Sequence, residues 1–350
     1  MRLRARSFFS RASAHGRGQP AAASVAVLGA GAWGTALAIA LARQGKRVTL
    51  WTWRSAHAEA MQSQRCNAER LPGVEFPQSL SATASMQQAV CGADLVLLAA
   101  PSSATEVLAE AAAPHARLGA RAVICAKGLG PRGEVLTECV RRHWRAGAVL
   151  VLSGPSFADE VAQDLPTIVA LAGPAPHAAD VAAQCSSERF MLCPSDDAIG
   201  VQVASVFKNV TATLCGVSDG LGLGANARAA LMSEAMREAA AVIVALGGRR
   251  ETLLGPAGFG DFALTCTDAK SRNYSFGRAL GQGGGKDVST TREGAANADA
   301  LLALAKRAGQ HTPLVAAMSD LLAAQLGARE AVEAVFAARR GHTLEAVRAA

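Results

Sequence analysis

Lys208 is the single charged residue in the twenty-one residues from Ala198 to Ser218, and Asn209 follows it directly. On a helix, Ile199, Val203, Val206, Val210 and Leu214 form one apolar stripe. Lys208 then falls on the opposite face, among Val201, Ala204, Ala212 and Cys215. Such surroundings disfavour an ammonium, so its pKa moves down from about 10.4 toward the range of proton exchange at neutral pH. The residue suits general acid/base work. The plainer alternative is a lysine that snorkels from the rim of a buried helix.

Other positions can join it. Ala126-Lys127-Gly128-Leu129 places a second lysine at the exit of a strand-like run, and Ser153-Gly154-Pro155-Ser156-Phe157-Ala158 makes a tight turn into a helix. Ser156 with Asp159 also has the spacing of a capping box, a purely structural duty. Farther on, Gly255-Pro-Ala-Gly-Phe-Gly260 ends in Asp261, and Ser271-Arg272-Asn273 follows. A glycine-dense loop supplies amide donors to an anion. Arg272 can clamp a phosphate bidentately, with Ser271 and Asn273 completing its coordination. Asp261 can take hydroxyls or orient Lys208. Thr291-Arg292-Glu293-Gly294 is a weaker signal, readable as a plain turn.

A nucleotide belongs beside this cluster. Ser24 to Leu28 reads as a buried strand, then comes Gly29-Ala30-Gly31-Ala32-Trp33-Gly34, then a helical run from Thr35 to Arg43. In that context Gly29 permits the turn, Gly31 lets a pyrophosphate approach the backbone, and Gly34 lets helix and strand pack. The helix N-terminus faces the phosphates. The second strand, Arg47 to Trp51, ends where an NAD-selective fold usually places an acid, but the chain reads Trp51-Thr52-Trp53-Arg54. A guanidinium there suits a 2′-phosphate, which favours NADPH and leaves NADH possible. Trp53 can stack on the adenine.

The elements that must hold these groups divide the chain. Further strand-like runs at Leu95 to Ala100, Ala122 to Ala126, Val149 to Leu152 and Thr167 to Ala170 alternate with helical stretches. That pattern gives a largely parallel, doubly wound sheet of Rossmann type. After about Asp197 the strand signals stop. Ala/Leu-rich helices such as Ala229 to Leu246 and Ala298 to Ala308 take over. The expected organisation is an α/β dinucleotide domain over 24–197 and a mostly helical substrate domain over 198–346. A basic, acid-free extension over 1–23 precedes both.

Composition sets the outer limits. A chain of 350 residues, half of them hydrophobic, can build about two cored domains. No run reaches the roughly 18 uninterrupted apolar residues of a membrane span. The eight cysteines form no C-x-x-C pair and meet no histidine cluster, so reduced thiols without a metal are expected. The net charge of +7 draws partly on Arg2, Arg4, Arg6, Arg11 and Arg17. A small anionic substrate accounts for the remaining dispersed bases, and no nucleic acid is needed. The extension has the Arg/Ser bias of an organellar targeting segment, and equally that of a tail or an upstream start.

Eight segments in order carry a resemblance: Gly29-Ala-Gly-Ala-Trp-Gly-Thr-Ala-Leu-Ala, Ala126-Lys-Gly-Leu, Ser153-Gly-Pro-Ser-Phe-Ala, Phe207-Lys-Asn-Val, Gly224-Ala-Asn-Ala-Arg, Gly258-Phe-Gly-Asp, Leu264-Thr-Cys-Thr and Ser271-Arg-Asn. From about Val25 to about Gly341 the chain resembles bacterial-type NAD(P)-dependent glycerol-3-phosphate dehydrogenase. The resemblance implies a cytoplasmic enzyme, often a homodimer, that interconverts dihydroxyacetone phosphate and sn-glycerol 3-phosphate for phospholipid synthesis. It makes Lys208 the proton donor and acceptor. Lys127, Gly154, Ser156, Asp261, Ser271, Arg272 and Asn273 become its companions around the substrate. Cofactor contacts fall on the glycine loop with Ala32 and Trp33, and on Trp53, Arg54, Lys127, Ala158, Arg272, Thr291 and Glu293. Two residues depart from the family's pattern: Ala32 replaces a common Ser, and Ser156 a common Thr.

Two rivals remain. A β-hydroxyacid dehydrogenase also joins a nucleotide fold to helices and uses a lysine beside an asparagine, but it has no use for Ser271-Arg272-Asn273. A non-catalytic NADPH-binding regulator would have no use for a buried proton donor.

Overall fold

The computed structural model describes residues 23–284 and 292–349, without the side chains of 292–296 and 342–349. The basic extension and Thr291 lie outside the described residues, as does the side chain of Glu293.

The first half is built on an eight-stranded sheet. Its strands are β1 (Ser24–Leu28), β2 (Arg47–Trp51), β5 (Leu80–Thr83), β6 (Leu95–Leu98), β7 (Arg121–Ile124), β8 (Val149–Ser153), β9 (Thr167–Ala172) and β10 (Phe190–Ser195). A short hairpin, β3 (Cys66–Asn67) with β4 (Leu71–Glu75), stands apart. The order across the sheet is β10-β9-β8-β7-β6-β1-β2-β5. All neighbours from β5 to β8 are parallel, and the β8–β9 pair alone is antiparallel. β1, β6, β7 and β8 are buried apolar runs, as strands covered on both faces must be. The connecting helices are α1 (Ala32–Arg43), α2 (Ser55–Gln64), α3 (Met86–Val90), α4 (Ser102–Ala112), α5 (Leu136–His143), α6 (Ala158–Ala162) and α7 (Ala175–Cys185).

Strand order reverses between β1 and β6, and in open parallel sheets the carboxyl ends at such a switch point are where ligands bind. The same edge of the sheet releases Lys127 after β7 and Gly154 after β8.

The second half is helical: α8 (Ala198–Gly220), α9 (Gly224–Ala245), α10 (Asp261–Thr267), α11 (Arg272–Gly281), α12 (Arg292–Arg307), α13 (Pro313–Leu322) and α14 (Ala328–Ala349). Asp197 caps α8, accepting from Gly200 N at 2.8 Å and from Arg249 N at 2.8 Å. α8 is buried on its apolar stripe and also on the opposite face around Lys208, whose small and apolar neighbours already read as unsolvated. α9, α10, α11 and α12 pack on it. By length and composition α8 could cross a membrane, but 83% of its most apolar window is buried inside the protein, as in a core helix.

α8 and α11 cross so closely that only glycine fits. A Cβ on Gly277 would lie 1.8 Å from Thr213 O, and one on Gly216 would lie 2.1 Å from Tyr274 O. This crossing fixes the start of α11, where Ser271, Arg272 and Asn273 lie, relative to Lys208.

Candidate active site

Lys208 is 5% exposed and does not snorkel. Its Nζ donates to Asp261 Oδ1 at 2.9 Å and to Thr265 Oγ1 at 3.0 Å. Asp261 and Thr265 lie one turn apart on α10, and the Thr265 hydroxyl also reaches Asp261 Oδ1 at 3.1 Å. The other carboxylate oxygen, Oδ2, accepts from Lys127 Nζ at 3.0 Å. Lys127 also donates to Gly154 O at 3.0 Å, and Ser156 Oγ donates to the same carbonyl at 2.9 Å. One buried aspartate thus holds two lysines from different halves of the chain. Asn209 ties the halves again, donating from Nδ2 to Lys127 O at 3.4 Å.

Burial pushes the Lys208 pKa down to about 8; the Asp261 carboxylate pulls it back up, while Lys127 pushes it further down. For Asp261, burial works upward, but Lys127 and Lys208 together hold it below the ordinary aspartate value. The result is an ammonium that remains charged near neutrality yet gives up its proton readily.

The glycine-dense loop before Asp261 plays a different part from the one its composition suggests. Pro256–Gly260 forms a single π turn in which Gly258 N and Gly260 N both donate to Gly255 O, at 3.2 and 3.4 Å. These two amides are spent within the loop rather than offered to an anion. A Cβ on Gly258 would lie 2.2 Å from Leu253 O, so glycine is what lets the turn fold in and deliver Asp261 to the head of α10.

The capping box at Ser156 does not form either. α6 begins at Ala158 with Phe157 as its N-cap, and the serine hydroxyl turns back to Gly154 O. Gly154 is required for packing: a Cβ there would lie 2.8 Å from Val169 Cα.

Ser271 caps α11, its hydroxyl accepting from Tyr274 N at 3.3 Å. Arg272 is exposed and Asn273 half-buried at that helix N-terminus, a favourable place for an anion. Lys270 joins this corner to the start of α6, with Nζ 3.0 Å from Asp159 Oδ2 and 2.8 Å from Glu160 Oε1. The expected phosphate residues therefore sit beside the Ser156–Ala158 turn.

The glycine loop follows β1 as expected. A Cβ on Gly29, whose φ is +121°, would lie 2.5 Å from Ala99 O, and one on Gly34 would lie 1.9 Å from Gly29 O. Gly31 meets nothing within 4 Å, so its side is open to a ligand. α1 has no side-chain cap, and the buried Trp33 Nε1 has no hydrogen-bond partner among the described residues. A dinucleotide pyrophosphate fits there: it takes the N-terminal amides of α1 and needs the close backbone approach that Gly31 leaves. Trp53 is 77% exposed and free to meet a flat base, and Ala158 opens α6 against α1.

Three residues to which the sequence assigned no role belong to this arrangement. Thr265 is the second acceptor for Lys208, and its spacing of four from Asp261 was the available signal. Asn67, wholly buried in the hairpin, donates to Ala30 O at 3.0 Å and to Thr35 Oγ1 at 2.8 Å, bracing the glycine loop. Asn297 lies beside Gly128, where a Cβ would come within 2.9 Å of its Oδ1 and 2.4 Å of Ser102 Oγ. The last two contacts are non-local, and no spacing announces them.

This geometry coincides with one family. Residues 24–179 match the NAD-dependent glycerol-3-phosphate dehydrogenase N-terminus, and residues 197–333 match the C-terminus of the same enzyme. The chain belongs to the NAD-dependent glycerol-3-phosphate dehydrogenase family. It is 44% identical over 282 residues to the glycerol-3-phosphate dehydrogenase [NAD(P)+] of Halorhodospira halophila, covering 78% of this chain and 84% of the relative. The Pectobacterium atrosepticum enzyme of the same name is 40% identical over 302 residues, 83% and 88% of the two chains. The crystal structure of glycerol-3-phosphate dehydrogenase from Coxiella burnetii superposes with a TM-score of 0.85 at 37% identity, over 91% of this chain and 99% of the other. The glycine loop after β1 lies in the first of these matched segments, while the Lys127–Asp261–Lys208 chain joins a lysine of that segment to two residues of the second.

Proposed function

We propose that this chain is a glycerol-3-phosphate dehydrogenase that reduces dihydroxyacetone phosphate to sn-glycerol 3-phosphate, reversibly, with NADPH preferred and NADH accepted. The observation that carries the reading is the buried Lys208–Asp261–Lys127 chain, with the Ser271-Arg272-Asn273 helix start beside it.

When bound, the nicotinamide supplies a hydride to the carbonyl carbon. Lys208 polarises the carbonyl oxygen and then gives it the proton. Asp261 and Thr265 hold the ammonium in one orientation, and the positive charge of Lys127 eases the departure of the proton. Arg272, Ser271 and Asn273 take the substrate phosphate, and Lys127, Gly154 and Ser156 line the approach. Cofactor binding falls to Gly29, Gly31, Ala32, Trp33, Gly34, Trp53, Arg54, Lys127, Ala158 and Arg272, with Thr291 and Glu293 following the family pattern. We divide the chain at about residue 197 into dinucleotide and substrate domains. We assign the enzyme to the cytoplasm as a homodimer feeding glycerophospholipid synthesis; eight free cysteines accord with a reducing compartment.

Incubation with dihydroxyacetone phosphate and NADPH should yield glycerol 3-phosphate, one molecule per NADPH consumed. Turnover of a non-phosphorylated hydroxyacid instead, with none of the phosphate ester, would favour the β-hydroxyacid reading.

The pH profile follows from Lys208. Its pKa is about 8, and reduction needs the ammonium, so kcat/KM for reduction should fall as pH rises through that value. Oxidation of glycerol 3-phosphate needs the amine and should rise over the same window. Flat profiles for both directions between neutrality and the alkaline side would contradict the assignment.

A further inference from the structure

The end of β2 lacks an acid of its own, yet the fold brings one there from fifteen residues downstream. Glu69 Oε2 lies 2.5 Å from Arg54 Nη2, and Glu69 Oε1 lies 3.0 Å from an Arg70 guanidinium nitrogen. His57 Nε2, in a buried ring, lies 3.9 Å from the same Oε2. The Arg54 guanidinium beside Glu69 holds its carboxyl below the ordinary glutamate value, so the acid is a carboxylate at neutral pH.

This is more than a surface ion pair, because the backbone that carries Glu69 is rooted. Asn67, two residues earlier, is 0% exposed and donates to Ala30 O of the glycine loop and to Thr35 Oγ1 of α1. Asn67 Oδ1 faces His57 Nε2 at 3.0 Å and accepts from Arg70 N at 3.2 Å. The Glu69 side chain itself is 42% exposed and Arg54 37%, so the pair can open without disturbing that root. Both side chains line a cavity of about 330 Å³, together with Ala56, His57, Met61 and Cys66 among others.

We propose that Glu69 is a specificity-determining residue for the cofactor: its carboxylate accepts the ribose hydroxyls of NADH, and yields Arg54 to the 2′-phosphate of NADPH. The inference rests on the reading of Arg54 as the 2′-phosphate site. A carboxylate accepts hydrogen bonds from vicinal hydroxyls, which is the service an acid at the end of the second strand performs in NAD-binding folds. Against a phosphate the same carboxylate is a competitor for the guanidinium and a like charge. Arg54 and Glu69 thus act in opposite directions on the two cofactors.

The experiment measures dissociation constants for NADPH and NADH by quenching of tryptophan fluorescence in the full chain, with Glu69→Ala, Glu69→Gln and Arg54→Ala. Each change removes one or two hydrogen bonds, worth about threefold to tenfold in affinity. Glu69→Ala should weaken NADH and tighten NADPH by factors of that order, and Glu69→Gln should give the same signs with smaller shifts. Unchanged NADH affinity, or NADPH weakened along with it, would overturn the role of Glu69. Arg54→Ala should weaken NADPH alone. Equal loss of both cofactors in that variant would instead overturn the 2′-phosphate reading beneath the proposal.

Discussion

Lys208→Ala is expected to cut turnover of dihydroxyacetone phosphate by about two to four orders of magnitude, the range of a lost general acid, while leaving NADPH affinity unchanged. The two effects separate because Lys208 lies on α8, whereas the nucleotide loop lies at the head of α1. The variant should also fold. Asp261 keeps Lys127 at 3.0 Å and Thr265 at 3.1 Å, so no buried charge is orphaned. Paired single-turnover and fluorescence titrations check both parts. Turnover retained within tenfold would remove Lys208 from the proton step.

Asp261→Asn should be harmful in a second way. The carboxylate is 1% exposed and is the shared partner of two ammonium groups. Removing its charge while keeping its shape leaves two like charges facing each other, and breaking a buried pair costs about 3–5 kcal/mol. Lys208 can relieve part of this by releasing its proton, which places the expected loss near the lower end. A fall of about 3 kcal/mol in unfolding free energy by denaturant titration is the predicted result. The kinetic sign is fixed too. Asp261 raises the Lys208 pKa, so its neutralisation moves that pKa below about 8, and the alkaline decline of reduction should shift to lower pH. An unmoved decline would show that Asp261 does not govern the ammonium.

Lysine burial also enters stability at neutral pH. The folded value of about 8 lies beneath that of an unfolded lysine. The charged form is therefore a cost in the folded state, fully present below pH 8 and relieved as pH rises toward the unfolded value. The fold tolerates it because the site needs it.

How much of this was readable in the chain depends on the range of the contact. Lys208 stood out because one charge among twenty-one residues is a local fact. Its partner Asp261 lies 53 residues away, and only the packing of α10 on α8 brings them together. The helix period marked one apolar stripe on α8 and the small and apolar residues around Lys208 marked the opposite face as unsolvated, and both are buried; periodicity alone could not say which elements cover them. The buried strands β1, β6, β7 and β8 were legible as apolar runs. β5 and β10 were not, since each pairs on one side alone and carries exposed residues, including Pro194, which an edge strand tolerates. The Ser156 capping spacing misled because the turn after β8 continues one residue farther, making Phe157 the N-cap, and the serine hydroxyl turns back to the Gly154 carbonyl. Glu69 escaped notice because the acid for β2 arrives from a hairpin, beyond the window in which strand-end acids are sought.

On this reading a phosphorylated ketone is reduced at Lys208 while its phosphate is held at the start of α11. The most direct measurement is therefore the initial rate of NADPH oxidation with dihydroxyacetone phosphate set against unphosphorylated dihydroxyacetone, in the native chain and in Arg272→Ala. In the native chain the phosphate ester should be favoured by about three orders of magnitude or more in kcat/KM, since a site built for an anion rejects a substrate that leaves its donors unpaired. Arg272→Ala should lose most of that preference. Equal rates for the two ketones in the native chain would contradict the account.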